Sequence, residues 1–446
     1  MRRIAIAIVA LATALGAAAD GLRGKWNGTL QAGGMKLRLS VSVRADSTAT
    51  LDSPDQGAFG LPAQVQHLGA DSLSLALPQL QASYNARLKD GRLCGTFRQG
   101  MLSLPLDMER AQLERPQTPM PPFPYVTEEV VIPNASAGVT LAGTLTLPEN
   151  FDPAQTPVVV MVTGSGLQNR DEELFGHRPF AVIADYLARH GIASLRYDDR
   201  GKGASTGDGA AATTTDFASD ARAAIEALRS RGCKRVGILG HSEGAAIAFQ
   251  LAAKKVPEFI VAIGAPGVQG YEILVDQTRR AMADSGVAAD MLDRYCEALT
   301  AMYRARISGG ADTAKAAVLK ATASWQQDGA NDQLKAILMQ LADNGNPWLD
   351  EFMAYDPRVD IAATACPALA IYGSLDTQVP PAQNAPAAQA NHAVAVKTYP
   401  GLNHLMQSAK TGKVSEYEEL SETFSPTVLA DIATFINSLE CINSLE

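Results

Sequence analysis

The run Gly240-His241-Ser242-Glu243-Gly244 holds the residues best suited to chemistry, a serine with a glycine two positions to either side. It follows the apolar stretch 236–239 and leads into a stretch rich in alanine, with Ala245, Ala246 and Ala248. A strand, a sharp turn and a helix in that order make a nucleophile elbow, where a strained backbone holds a serine out at the tip of a sheet and only small neighbours fit. A serine hydroxyl is a weak nucleophile until a histidine takes its proton. That histidine in turn needs a carboxylate to fix its tautomer and stabilise its cation. The elbow therefore calls for one histidine and one acid on other loops.

Of the six histidines, His404 in Pro400-Gly401-Leu402-Asn403-His404 follows a strand pattern and precedes the last helical stretch. His67 lies in the β-rich N-terminal part, His190 ends a helix, His241 belongs to the elbow, and His177 and His392 lie on no late strand-end loop. The acid is expected after the penultimate strand. Ile371-Tyr372-Gly373-Ser374-Leu375-Asp376 puts Asp376 there, whereas Asp356 and Asp360 precede that strand. The chain order Ser242, Asp376, His404 is the one a nucleophile elbow on a parallel sheet uses. The oxyanion formed on attack needs two backbone N–H donors. The Glu243 N–H follows the nucleophile directly, and the second is expected from Thr163-Gly164-Ser165-Gly166-Leu167, with Ser165 as the choice. That glycine loop could also be read as a phosphate cradle, but it lacks G-x-x-x-x-G-K-[ST] and G-x-G-x-x-G.

The surrounding elements must place these groups together. From about residue 22 to 108, short period-two runs broken by turns predict an antiparallel barrel or sandwich. Residues 116–125, rich in proline, read as a stiff linker. An antiparallel pair is expected at 128–132 and 139–145. Beyond it, apolar strands at 158–162, 193–197, 236–239, 259–263, 368–372 and 394–399 alternate with helices at 180–190, 216–231 and 426–439. This pattern predicts a mostly parallel sheet covered on both faces, with ligands at the carboxyl ends of its strands. Between about 270 and 360 the alternation gives way to helical runs, expected to form a lid. The expected division is therefore a signal peptide at 1–19, an all-β domain at 20–115, the linker, an α/β domain at 126–440 and a tail at 441–446. The tail repeats Ile-Asn-Ser-Leu-Glu, for which there is no physical account.

The first residues read as a secretory signal: Arg2 and Arg3, an apolar run to about Leu15, then Ala17-Ala18-Ala19. That predicts export to the periplasm or outside the cell, with no stable membrane insertion after cleavage. Thirty-eight Lys and Arg against 47 Asp and Glu, a formal net charge of −9, and no basic block argue against a nucleic-acid partner. The five cysteines show neither metal-binding spacing nor a disulfide framework, though one pair could still be bridged. No metal or organic cofactor is called for. Oligomeric state is not readable.

Residues from about 126 to 440 resemble the bacterial α/β-hydrolases of the secreted esterase and serine-aminopeptidase-like branch. The likeness is carried by Gly164-Ser165-Gly166-Leu167-Gln168-Asn169-Arg170-Asp171-Glu172, by 195–205 with Asp198, Asp199 and Arg200, by the elbow, and by the Asp376 and His404 loops. The β-domain also looks like one fused ahead of such hydrolases. Thr163 departs from relatives that carry a histidine before the glycines, which bears on the oxyanion donor. The resemblance implies that 196–205 is architectural, with Asp198, Asp199 and Arg200 forming an ion-pair network. Together, residues and resemblance lead to the expectation of an exported serine hydrolase acting on small-molecule carboxylic esters of short to medium acyl chain. One alternative is a peptidase or amidase with the same triad. Another is a non-catalytic exported binding protein whose working part is the β-domain.

Overall fold

The structure is a computed structural model that describes residues 22–32, 35–44, 48–56, 58–111, 115–326 and 328–443. The expected signal peptide and most of the repeated tail lie outside these residues. Among the described residues, 22–111 together with 415–421 form one compact unit, and 115–414 with 422–443 form the other.

In the first unit, alternation sends every second side chain inward. Leu73, Leu75 and Leu77 of one strand are buried while Ser72, Ser74 and Ala76 between them are not. Eight strands result: β1 Gly24–Ala32, β2 Met35–Val43, β3 Ala49–Ser53, β4 Ala58–Leu68, β5 Ser72–Leu77, β6 Ala82–Lys89, β7 Arg92–Gln99 and β8 Leu102–Arg110. Each pairs antiparallel with the next, and β1 meets β8 from Trp26 to Gly28, so the choice between barrel and sandwich falls on a closed barrel. Trp26, Val41, Leu51, Tyr84, Leu93 and Met108 fill it. Two strands, β4 and β6, were not expected from the sequence. A register shift between Val65 and His67 interrupts the period of β4, whereas β6 keeps it, Tyr84, Ala86 and Leu88 alternating with Asn85, Arg87 and Lys89.

In the second unit, β9 Val126–Asn134 and β10 Val139–Leu147 open an eight-stranded sheet. It continues with β11 Val158–Val162, β12 Ala193–Tyr197, β13 Val236–His241, β14 Ile260–Ile263, β15 Ala368–Gly373 and β16 Val394–Tyr399. The spatial order is β16-β15-β14-β13-β11-β12-β10-β9, and every pair from β12 to β16 is parallel. Both faces are dry. Val158, Val160 and Val162 face a core with the helices Thr214–Ser230 and Glu243–Ala253, while Val159 and Met161 face a core with Pro179–Arg189 and Pro426–Asn443. Burying one such side chain contributes roughly 1.5–3 kcal/mol, which is why these strands read as continuous apolar runs. The helix expected from 216 begins at Thr214, because Thr213 is its N-cap and Asp216 sits at the third position, accepting from Thr213 N–H at 3.0 Å.

Between β14 and β15 lie the helices Gly270–Asp284, Ala289–Ala321, Gly329–Asp343, Pro347–Ala354 and Pro357–Ala363. Tyr295, Leu299, Met302, Leu338 and Met353 give them a core of their own. The longest helix is broken at Gly310, whose φ of 73° is non-helical. The stretch expected as a stiff linker is hydrogen-bonded within this unit. The Gln117 side chain accepts from Thr423 N–H at 2.6 Å and donates to the Phe424 carbonyl at 2.7 Å, and Tyr125 Oη donates to Asp185 at 2.8 Å. Cys94, Cys233, Cys296 and Cys366 are all free thiols.

Candidate active site

Strand β13 delivers the chain into Ser242, whose φ of 54° and ψ of −115° lie where a side chain is strained. The helix Glu243–Ala253 starts at the next residue. Gly244 permits this turn, since a Cβ there would stand 2.1 Å from the Val162 carbonyl oxygen. The Ser242 amide donates to the Ile263 carbonyl at 2.8 Å, tying the turn to the end of β14.

The loops after β15 and β16 bring the other two groups together. His404 Nδ1–H donates to Asp376 Oδ2 at 2.7 Å, and both residues are buried. The carboxylate can only accept, so Nε2 is left as the basic nitrogen of the ring. Asp376 Oδ1 accepts from the Gln378 and Val379 N–H groups, each at 2.8 Å. Burial pushes the Asp376 carboxyl up, but His404 and those two amides outweigh it and hold the group below the usual carboxylate range. The His404 ring lies 4.7 Å from that of His241, the residue before Ser242. Gly264, at a φ of 59°, makes room for it: a Cβ would come within 2.9 Å of His404 Cε1.

The glycine loop meets the elbow, since a Cβ on Gly164 would lie 3.3 Å from Ser242 Cβ. Gly164 N–H is already engaged, donating to Glu172 Oε1 at 2.7 Å. Among the described residues no acceptor engages the N–H groups of Ser165 or Glu243. The Ser165 hydroxyl bonds the Glu243 carboxylate, which also accepts from Thr214 Oγ1 at 2.6 Å and Trp348 Nε1 at 2.9 Å. Burial pushes this carboxyl up against those three donors. Trp348 comes from the helix Pro347–Ala354, so one of the inserted helices is bonded to the residue next to Ser242.

The roles of Glu172 and Trp348 had no signal in the sequence, though Glu172 ends the glycine-loop stretch that carries the resemblance, because their partners are 69 and 105 positions away. Glu172 Oε1 lies 2.9 Å from His241 Nδ1, while His241 Nε2 is 3.0 Å from the His404 carbonyl oxygen. Both partners accept, so a proton sits on each contact. Burial pushes the His241 ring down, yet Glu172 and that carbonyl raise it above its ordinary value. The His241 ring thus joins the glycine loop to the His404 loop.

The expected network of Asp198, Asp199 and Arg200 takes a different form, because the three turn to different partners. Arg170 Nη2 pairs with Asp198 at 2.8 Å, and Arg200 pairs with Asp220 at 2.7 Å and Asp216 at 2.9 Å. Asp199 accepts from Gln168 N–H at 2.7 Å and from the Thr163 hydroxyl at 3.0 Å, so Thr163 anchors the start of the glycine loop. Burial pushes the Asp199 carboxyl up to about 7, aided by the charges of Glu243 and Glu172. Its folded value lies above its ordinary 3.8. The stability it contributes is therefore complete below about pH 4 and is lost as pH rises to about 7. Asp199→Asn is expected to remove that slope, with Tm above the parent at pH 8 and matching it at about pH 4 and below in thermal melts.

An eight-stranded sheet with this order, an elbow after its fifth strand and an Asp–His pair on its last two strand-end loops define an α/β-hydrolase. The family model described as serine aminopeptidase, S33, matches residues 178–408, just over half of the chain, and the chain belongs to that family. It is similar to the esterase EstD of Thermotoga maritima, at 31% identity over 140 residues. That match covers 31% of this chain and spans only 34% of the length of EstD. Similar solved structures include an esterase of Pyrococcus furiosus, with a TM-score of 0.42, 15% identity, and 73% of this chain and 98% of that one covered. The ferulic-acid-bound Est1E of Butyrivibrio proteoclasticus gives 0.43 and 14%, covering 71% and 100%. A proline iminopeptidase of Mycobacterium smegmatis gives 0.43 and 17%, covering 70% and 98%. Among the described residues, no cluster of His, Cys, Asp or Glu could hold a metal ion and no helix is long and apolar enough to cross a membrane.

Proposed function

We propose that this protein is an exported serine hydrolase that cleaves small carboxylic esters of short to medium acyl chain through an acyl-enzyme. The observation that carries the reading is the strained Ser242 on its elbow, with the hydrogen-bonded His404–Asp376 pair beside it. Ser242 Oγ attacks the ester carbonyl carbon as His404 Nε2 takes its proton. The oxyanion accepts from the Glu243 and Ser165 N–H groups. Collapse breaks the bond to the alcohol, which leaves with the proton held by His404. Water then repeats the sequence on the acyl-enzyme and releases the acid. Asp376 holds the tautomer throughout, and the chemistry needs neither metal nor organic cofactor.

The five helices between β14 and β15 act as a lid in this reading, supported by the Trp348–Glu243 hydrogen bond. Export rests on the pattern of residues 1–19. The family's description favours a second reading, a peptidase with the same triad. Against it stands Glu243: this buried acid is taken up by Thr214, Trp348 and Ser165, which leaves it unsuited to hold a free amino terminus.

The test is turnover of p-nitrophenyl esters from acetate to decanoate beside the matched p-nitroanilides, with a fluorophosphonate label mapped by mass spectrometry. Ester turnover above anilide turnover, with the label on Ser242, is expected. Anilide turnover in excess would move the assignment to a peptidase, and a folded protein inert on both would sink it.

A further inference from the structure

Six buried side-chain polar atoms lack a hydrogen-bond partner among the described residues, and three of them gather on two neighbouring strands. They are Thr146 Oγ1 on β10 and Ser194 Oγ and Arg196 Nε on β12. The antiparallel register sets Thr146 opposite Ser194 and Thr144 opposite Arg196, so the period of two turns all three side chains to one face. Thr146 and Ser194 are 1% and 0% exposed, and the Arg196 side chain 11%. Leaving such a group dry and unsatisfied is costly. A patch of three therefore calls for an explanation.

Thr146 and Arg196 open into a cavity of about 150 Å³, walled also by Phe123, Tyr125, Asp171 and Arg178. Most of the polar groups on that wall are engaged. Arg196 Nη1 pairs with Asp171, Tyr125 Oη donates to Asp185, and Arg178 pairs with Glu173 at 3.2 Å. Of the buried polar atoms on that wall, Arg196 Nε–H and the Thr146 hydroxyl remain, both able to donate. Burial, with a smaller contribution from Arg170, pushes the Arg196 guanidinium below its ordinary value against the opposing pull of Asp171. The stacked rings of Phe123 and Tyr125, 5.0 Å apart, add an apolar wall.

We propose that this cavity is a binding site, apart from the Ser242 site, for a small monocarboxylate. The carboxylate oxygens accept from Arg196 Nε–H and the Thr146 hydroxyl, Ser194 lies behind Thr146 across the ladder, and a short aliphatic or aromatic tail lies against Phe123 and Tyr125. The volume suits an acid of a few heavy atoms, since each water takes roughly 30 Å³ of liquid. A carboxylate offers these two donors charged acceptor oxygens, which make stronger hydrogen bonds than water does.

The test uses calorimetric titration of the full-length Ser242→Ala protein with propionate, benzoate and inorganic phosphate, repeated with Thr146→Val and, separately, Phe123→Ala added. Saturable binding of propionate or benzoate is expected, weakened about tenfold by Thr146→Val, the effect of losing one hydrogen bond to a charged group. Thr146→Val alone is expected to leave Tm in the absence of ligand unchanged or higher, because it removes a buried hydroxyl that has no partner. Phe123→Ala, which removes one ring of the apolar wall, carries the affinity comparison if the valine variant does not fold. Phosphate binding in place of the carboxylates would overturn the ligand class. Equal affinity in the parent and both variants, or no saturable binding up to about 10 mM, a Kd corresponding to less than about 3 kcal/mol, would overturn the site.

Discussion

Ser242→Ala is expected to lower kcat on a p-nitrophenyl ester by on the order of 10³–10⁶, with KM within a few-fold of the parent. The hydroxyl is the group that forms the acyl bond, and nothing else at the elbow replaces it. Residual turnover would come from the Glu243 and Ser165 N–H donors acting on a bound water. Stability separates this loss from misfolding. An alanine at a φ of 54° inherits the strain of Ser242, so its Tm should stay near the parent value. Ser242→Gly relaxes that strain and is expected to be equally inactive yet more stable by about 1–3 kcal/mol, read by denaturant titration. An active Ser242→Ala protein would remove Ser242 from the mechanism.

Asp376→Asn is expected to lower kcat by about 10⁴ with the fold intact. The reason lies in the partners of Asp376. Its Oδ1 is held by two backbone N–H groups, from Gln378 and Val379, while Oδ2 faces His404 Nδ1. An asparagine must keep its oxygen on the two amides, which turns its NH₂ toward Nδ1. The ring then accepts at Nδ1 and carries its proton on Nε2, where it cannot act as a base. The two variants differ in their pH behaviour. The Asp376 carboxyl lies below its ordinary value, so its contribution to stability is present above about pH 4 and lost as pH falls through the folded value. Asp376→Asn should therefore flatten the acid end of the stability profile in thermal melts between pH 2 and 6, while Ser242→Ala keeps it. Full activity in Asp376→Asn would point to another acid.

Much of the architecture was legible because burial imposes its period on the residues that undergo it. The apolar runs 158–162 and 236–239 read as strands buried on both sides, and both are. Small residues around Ser242 announce a tight turn, because the positive φ and the Val162 carbonyl tolerate little else. Strand β4 escaped because its register shift breaks the period, and β6, although Tyr84, Ala86 and Leu88 keep that period, because its two alanines weaken the apolar signal. The placement of 415–421 with the barrel had no local signal either. Nor did the loose ends of the 196–205 stretch, where three adjacent charged residues choose three separate environments.

By itself, the amino-acid sequence determined the two kinds of β-structure, the strand-helix alternation, the elbow and the loops that carry Asp376 and His404. These follow from nearest-neighbour sterics and from side-chain periodicity, both of which are local. Only the tertiary structure decided that Gly164 N–H is spent on Glu172, leaving that of Ser165 without an acceptor, and that Trp348 reaches Glu243. It alone raised the Asp199 carboxyl to about 7 and left Thr146 and Arg196 facing a cavity. The physical reason is the same in each case. Hydrogen-bond satisfaction and desolvation depend on which distant groups share a dry space, and that is set by the packing of the whole sheet and its helices.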